Sequence, residues 1–135
     1  MYKRQLYNYV GQPWRTQEIV DEVLHTLYFN NPDGLSGNED CGQMSAWYIL
    51  NAMGFYQVCP GKPVYSIGRP LFNEATVHLK DGKSFKVIAH NNSRDNKYVR
   101  SIVLNGNKLE TPFFTHQDIV DGGTLELTMG SEPLK

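Results

Sequence analysis

The side chains best able to do chemistry are concentrated in residues 37–48, which read GNEDCGQMSAWY. Asn38, Glu39 and Asp40 stand between glycines and directly before a predicted helix N-terminus. Glycine lets the backbone approach a ligand, and the positive end of a helix dipole can hold an anion or tune a carboxylate. The same residues also fit a structural role, because Asp40 followed three positions later by Gln43 is typical of a helix N-cap with a reciprocal partner, worth about 1 kcal/mol. From these residues alone, a functional site and a helix cap both remain open.

The elements that must position this segment are helical on both sides. Apolar residues recur at the spacing of one helix face from Ile19 to Leu27, and turn residues at 30–34 end that helix. A second helical pattern over residues 44–53 is apolar around most of its circumference, and Gly54 is placed as its C-cap. A helix this apolar needs more cover than one neighbouring helix supplies. We therefore expect it to lie inside a larger helical assembly.

From Val64 onward the hydrophobic period changes to two, which is typical of strands. Asp81-Gly82 and Asn105-Gly106 each predict a hairpin turn between alternating segments. The segment from Thr115 to Asp118 resembles a capping box that opens a short helical turn, and residues 124–129 read as the last strand. The predicted fold class is therefore α+β, an N-terminal helical hairpin followed by an antiparallel β-sheet or sandwich segment.

Composition excludes several classes of protein. The chain has 135 residues, of which 40% are hydrophobic, so it can build a core and is not a disordered chain. Its net charge of −1, without a basic cluster, argues against nucleic-acid binding by bulk electrostatics. No apolar run is long enough to span a membrane.

The other candidate side chains favour structural roles. The four histidines share no metal-ligand spacing. Trp47 could stack on a sugar, but its place in an apolar helix favours core packing. Cys41, beside Asp40, could be a reactive thiol, although the following helix favours a small buried residue there. Whether Cys41 pairs with Cys59 stays open, because sequence alone cannot supply the geometry.

The segment around Asp40 closely resembles the near-C-terminal signature of glycoside hydrolase family 92, the calcium-dependent exo-α-mannosidases. The resemblance extends in order through residues 6–130. The segments that carry it are residues 6–17, 33–40, 54–61, 65–72, 91–93 and 122–127. The resemblance implies a long enzyme, an N-terminal β-sandwich joined to an (α/α)₆ barrel, of which this chain would be the C-terminal fragment.

On this resemblance the chain divides into three parts. Residues 6–57 would be the last helices of the catalytic barrel, with the active-site loop at 33–43, and residues 58–135 a C-terminal antiparallel β segment. Residues 1–5, MYKRQ, resemble the translation of a transposon-type sequencing adapter. We predict that they are non-native and that the reading frame is cut at its 5′ end. The alternative is a native basic segment before the first helix.

The resemblance also implies an inverting hydrolysis, in which one carboxyl group protonates the leaving oxygen and a second, about 6.5–9.5 Å away, activates a water. The family pattern places the general base on Asp40. Asn38 occupies the position where a helper carboxylate is often found. Glu39, between them, is expected to point the other way in an extended loop. Glu39, Tyr9 and Trp14 are candidates for substrate contact, the last two at the rim of the implied active site.

The remaining machinery implied by the family is expected upstream. The general acid, a glutamate, and the main ligands of the calcium ion belong there, so no metal site is predicted within this chain. We expect the chain alone to be inactive, with an α-mannoside glycan, including N-glycans, and the rest of the parent polypeptide as its partners. Members in bacteria are typically exported to the periplasm or cell surface. The alternative function is a non-catalytic carbohydrate-binding or structural β module that supports a helical barrel.

Overall fold

A computed structural model of the chain describes residues 4–135. Its helices are α1 Leu6–Tyr9, α2 Pro13–Thr26, α3 Gln43–Met53 and α4 His116–Val120. Its strands are β1 Phe55–Tyr56, β2 Val64–Ile67, β3 Glu74–His78, β4 Ser84–His90, β5 Tyr98–Leu104, β6 Asn107–Lys108, β7 Phe113–Thr115 and β8 Gly123–Gly130. Helices α1 to α3 come before the strands, and the short α4 lies between β7 and β8, so the predicted α+β class is confirmed.

Helices α2 and α3 pack together as the apolar spacing predicts. Pro13 stands in the first turn of α2, where its fixed φ suits a helix start and its missing N–H costs no hydrogen bond. Val20, Val23 and Leu24 are buried against Trp47 of α3, which is completely buried. Trp47 is therefore a core residue, as its place in an apolar helix indicated.

The strands form a three-stranded sheet in the order β1-β2-β7 and a five-stranded sheet in the order β3-β4-β8-β5-β6. The pairs are antiparallel except β4 and β8, which run parallel from Phe85 opposite Gly123 to His90 opposite Thr128. The expected antiparallel β segment is therefore present, and the β4–β8 pair makes its larger sheet mixed. Alternation along a strand reports which face is buried but not the direction of the neighbouring strand, and here the chain crosses over through β7 and α4 before β8 enters the sheet.

The predicted turns are confirmed. Lys80–Gly82 joins β3 to β4, and Asn105 and Gly106 join β5 to β6 with φ values of 50° and 80°. Positive φ at both central residues is the conformation that an Asn-Gly hairpin turn requires. The Thr115 side chain accepts a hydrogen bond from the Asp118 N–H, and the Asp118 carboxylate accepts one from the Thr115 N–H. This capping box opens α4.

The two sheets share one core, and α2 is tied to it by polar contacts. The rings of Phe85 and Phe114 stack across the sheets with centroids 5.7 Å apart. On the helical side, the Gln17 side-chain oxygen accepts a hydrogen bond from the Val99 N–H at 3.1 Å. The buried Arg69 lies 2.9 Å from an Asp21 carboxylate oxygen, and burial lowers the pKa of its guanidinium while Asp21 opposes that change. Helices and sheets thus form one packed body.

Part of the predicted non-native start is described by the structure. Residues 1–3 lie outside the described residues, whereas Gln5 is completely buried and its Nε2 donates a hydrogen bond to Asn51 Oδ1 at 2.8 Å. Gln5 therefore fits the core as a native residue would. The foreign origin of residues 1–5 stays a prediction.

Among residues 4–135, none of the helices is long and apolar enough to span a bilayer.

Candidate active site

The candidate site is the loop between α2 and α3. Its first half is closed by backbone hydrogen bonds, from the Phe29 N–H to the Gly34 carbonyl at 2.9 Å and from the Gly34 N–H to the Asn31 carbonyl at 3.0 Å. A Cβ on Gly34 would lie 1.8 Å from the Phe29 carbonyl oxygen, so only glycine fits there. Tyr28 and Leu35 form an isolated antiparallel bridge at the base. This closed turn fixes where the second half of the loop begins.

The second half of the loop is a strained left-handed turn. Asp40, Cys41 and Gly42 have φ values of 51°, 60° and 86°. The left-handed region costs a non-glycine residue about 1–2 kcal/mol, and such strain tends to be found at functional sites. The turn places Asp40 on the exposed outer side of the loop.

Asp40 is not the helix cap that its spacing from Gln43 suggested. The N-cap of α3 is Gly42, and no side chain caps the helix from that position. Asp40 contacts Gln43 through its backbone carbonyl, which accepts the Gln43 N–H at 3.3 Å. Because the turn inserts two left-handed residues between Asp40 and the helix, its carboxylate lies outside capping position. Among the described residues, no hydrogen-bond donor contacts that carboxylate, so it remains available to a ligand.

Glu39 takes over the role of the cap. Its two carboxylate oxygens accept hydrogen bonds from the Ser45 N–H at 3.0 Å and from the Ser45 Oγ at 2.9 Å. Its backbone carbonyl accepts the Met44 N–H at 3.2 Å. A negative charge beside these N–H groups is stabilised by the helix dipole. The loop is not extended here, so the side chain turns back onto α3 and both oxygens are engaged within the protein.

Tyr28 supports the loop from the core side. Its hydroxyl donates a hydrogen bond to the Met44 carbonyl at 3.2 Å, and its ring stacks on Trp47 with centroids 5.7 Å apart. Burial raises the pKa of Tyr28 to about 12, and the nearby Glu39 charge adds to this against the opposing charge of Arg4. Tyr28 therefore stays protonated, and a donor, at neutral pH.

The remaining loop side chains do not complete a calcium site. Asn38 is exposed, and Cys41 is an exposed free thiol rather than the small buried residue that the sequence favoured. Cys59 is also free. The structure holds no cluster of three or more His, Cys, Asp or Glu side chains suited to a metal within residues 4–135. Calcium takes six to eight oxygen ligands, including backbone carbonyls and waters, so a site at Asn38 and Asp40 would need further ligands.

Trp14 lies at the opposite end of α2 from the candidate loop, and Tyr9 contacts the sheet. The candidate loop follows the C-terminal end of α2, whereas Trp14 is in the first turn, and a helix of 14 residues is about 20 Å long. The Trp14 ring carries the Arg15 guanidinium at 5.1 Å and the Lys135 ammonium at 5.5 Å. Tyr9 packs against Phe113 with ring centroids 4.8 Å apart. A role for either residue in substrate contact stays a prediction.

Sequence reasoning missed Ser45 and Tyr28. Ser45 is the third residue of α3, and a serine there carries no capping signal, since the usual N-cap lies three positions earlier. Its bond to Glu39 depends on a left-handed turn that the sequence does not specify. Tyr28 follows the predicted apolar face of α2 and gave no sign of reaching across to the start of α3.

The chain is similar to known proteins over nearly all of its length. The model of the glycosyl hydrolase family 92 catalytic domain matches residues 4–131. Among solved structures, the chain is similar to the family GH92 inverting mannosidase BT2199 from Bacteroides thetaiotaomicron VPI-5482, with 47% identity and a TM-score of 0.91. It is similar to the family GH92 α-mannosidase BT3965 from Bacteroides thetaiotaomicron, with 42% identity and a TM-score of 0.92. Each similarity covers 98% of this chain and 18% of the solved chain.

A curated relative gives a similar picture. An uncharacterised secreted glycosidase of Arthroderma benhamiae is 30% identical over 130 residues, which cover 94% of this chain and 17% of the relative. The chain thus spans less than a fifth of the length of each of these relatives.

Proposed function

Because the chain belongs to glycosyl hydrolase family 92, we propose that it is the C-terminal part of an inverting α-mannosidase and supplies Asp40 as the general base. The observation that carries the proposal is the exposed carboxylate of Asp40, without an internal hydrogen bond among the described residues, on a strained turn in the candidate loop. A base must be both held in place and free to accept a proton. The two oxygens of the neighbouring Glu39 carboxylate already accept hydrogen bonds from Ser45, which favours Asp40 for this role.

In the proposed reaction, the Asp40 carboxylate accepts a proton from a water molecule. The water oxygen forms a bond to the anomeric carbon as the bond to the leaving oxygen breaks on the opposite face. A carboxylic acid from the rest of the catalytic domain gives its proton to that leaving oxygen. The product sugar has the opposite anomeric configuration, and Asp40 carries the proton away.

The finer features follow from the family resemblance. We propose terminal α-mannosyl residues of glycans, including N-glycans, as substrates, and calcium as the cofactor of the whole enzyme. The main ligands of that calcium ion would lie in the rest of the catalytic domain, as the family resemblance implies. We also propose an exported enzyme of the bacterial periplasm or cell surface, supported by the similarity to a secreted glycosidase.

The test joins residues 6–130 to the upstream part of the BT2199 mannosidase, replacing its matching segment. The 47% identity and TM-score of 0.91 make this exchange structurally reasonable. We expect the chimera to release mannose from α-mannobiose. Asp40→Ala should lower kcat by about 10²–10⁴-fold, the usual contribution of a general base. Azide attacks without losing a proton, so added azide should restore turnover in Asp40→Ala and give β-mannosyl azide.

Asp95→Asn is the matched control, because Asp95 is an exposed carboxylate in the loop between β4 and β5. It should leave kcat unchanged. Wild-type turnover by Asp40→Ala without azide would disprove the base assignment and leave a structural role for the chain. A chimera that folds, as judged by circular dichroism, but does not release mannose would contradict the proposed function.

A further inference from the structure

We propose that Glu39 is a positioning residue that fixes the direction of the Asp40 carboxylate. The inference rests on the proposed function of Asp40 and deepens it. Glu39 comes directly before Asp40, and its hydrogen bonds go to Met44 and Ser45, which follow the turn. The left-handed turn is therefore closed by one residue that bonds across it with both its backbone and its side chain.

The hydrogen bonds of Glu39 hold the two ends of the left-handed turn together. Asp40 and Cys41 occupy a backbone region that non-glycine residues disfavour, so the turn would relax if its two ends were released. Gly42 has no side chain with which to cap the helix. The Glu39 carboxylate accepts two charge-assisted hydrogen bonds, which are stronger than bonds between neutral groups. Both of these bonds cross the turn and end on Ser45, in the first turn of α3.

The far end of this connection lies in a helix that packs into the core. Ser45 and Met44 belong to α3, which is anchored by the completely buried Trp47. The Met44 carbonyl also accepts the Tyr28 hydroxyl at 3.2 Å. Glu39 thus connects the backbone next to Asp40 to the helical core.

Such positioning matters because the base must lie against a water that is itself aligned with the anomeric carbon. A displacement of about 1 Å in a catalytic constellation can cost about 100-fold in rate. Glu39 does not reach the substrate in this role, since both its carboxylate oxygens are bound to Ser45. Its effect on the reaction passes through Asp40 alone.

The experiment combines Glu39 variants with Asp40→Ala in the chimera. Glu39→Ala should lower kcat for α-mannobiose by about 100-fold while KM is largely unchanged. Glu39→Gln should retain most of kcat, because the amide oxygen can still accept the Ser45 N–H and the amide nitrogen can donate to Ser45 Oγ. In the Asp40→Ala background with azide, Glu39→Ala should cause no further loss, because the residue through which Glu39 acts is gone.

Glu110→Ala, which removes an exposed carboxylate paired with Lys108 on the sheet, is the control for the substitution itself and should leave kcat unchanged. An equal loss from Glu39→Ala in the hydrolytic and the azide-dependent reactions would indicate a general structural role and overturn the inference. A loss in Glu39→Gln as large as in Glu39→Ala would show that charge rather than position matters, and would also overturn it. If Asp40→Ala hydrolyses α-mannobiose without azide, the proposed function itself fails.

Discussion

Adjacent acidic residues in the candidate loop have different surroundings, and the different roles that we propose for them rest on this. Glu39 engages both carboxylate oxygens with Ser45 at the start of α3. Asp40 makes no side-chain hydrogen bond within the described residues and is exposed. On the proposed function, Asp40 would act as the base while Glu39 supports the loop.

Tyr98 shows how a single buried hydroxyl ties the helices to the sheet, and it makes the stability dependent on pH. Its hydroxyl donates a hydrogen bond to a Glu18 carboxylate oxygen at 2.7 Å. Burial, followed by the hydrogen bond and charge of Glu18, raises the pKa of Tyr98 from 10.0 to about 12. Burial alone would raise the pKa of Glu18, but hydrogen bonds from Tyr98 and Arg15, with the charge of Arg15, hold it below its usual value.

Because the folded state holds the Tyr98 proton more tightly than the unfolded state, this stabilisation is fully present below pH 10 and is lost as the pH rises through about 12. We expect Tyr98→Phe to lower the free energy of unfolding below pH 10 and to flatten its fall above that pH. The decrease in the free energy of unfolding that depends on Tyr98, and that Tyr98→Phe should therefore lack, is at most about 3 kcal/mol. Urea unfolding at a series of alkaline pH values measures both effects. A fall as steep in Tyr98→Phe as in the wild type would contradict this account.

Residue types and the family pattern together indicated Asp40 as the candidate base, but they did not predict the contact between Glu39 and Ser45. The spacing of Asp40 and Gln43 fits a capping box as well as it fits a catalytic loop, and only the backbone angles of the turn exclude the cap. The link from Glu39 to Ser45 depends on the same angles. Left-handed conformation at an aspartate and a cysteine has no sequence signal comparable to glycine, so this part of the site could not be read from the sequence.

At the scale of elements, the end of α3 is where backbone and packing constraints coincide. Gly54 caps the helix with φ 106°, and a Cβ there would lie 3.1 Å from Pro70 Cβ and 3.4 Å from Leu127 Cδ1. Gly11, between α1 and α2, has φ 72°, but a Cβ added to it would meet no atom within 4 Å. Positive φ disfavours a side chain at both glycines, but at Gly54 a side chain would also meet neighbouring atoms, so comparing the two separates the backbone cost from the packing cost.

We expect Gly11→Ala to lower the free energy of unfolding by about 1 kcal/mol, the cost of left-handed backbone for alanine. Gly54→Ala should lower it by at least about 2 kcal/mol, since crowding against the sheet core adds to the same backbone cost. Urea unfolding of both variants measures the difference. Equal losses would show that the contact between the helix end and the sheet is loose.

Local elements were more predictable than the contacts between them. Asn105-Gly106 forms the hairpin turn that its residue types require, and Gly54 ends α3 as expected. The parallel pairing of β4 with β8 was not predictable, because it depends on the path of the whole second half of the chain. The bond from the Val99 N–H to Gln17 likewise joins residues 82 positions apart, and no local pattern records it.

At the scale of the molecule, the outer face of α3 is incompletely covered by this chain. Ile49 is 51% exposed and Phe29 59% exposed, and they border a groove of about 400 Å³ that Tyr48 also lines. The sequence predicted that α3 would be buried on several sides in a larger helical assembly. The structure supplies cover on the α2 and sheet sides, and the remaining apolar face agrees with a chain that spans 18% of its solved relatives.

Because this chain spans 18% of its solved relatives, we predict that it cannot hydrolyse α-mannosides by itself. An inverting reaction needs an acid and a base about 6.5–9.5 Å apart on opposite faces of the sugar ring. In the described part of the candidate loop, Asp40 has a free carboxylate, whereas the carboxylate of Glu39 is bound to Ser45. We expect the purified 135-residue chain to release no mannose from α-mannobiose above the buffer rate, under conditions in which the chimera with the BT2199 upstream part does. Turnover by the isolated chain that Asp40→Ala abolishes would contradict the prediction, because the acid partner would then have to lie within the chain itself.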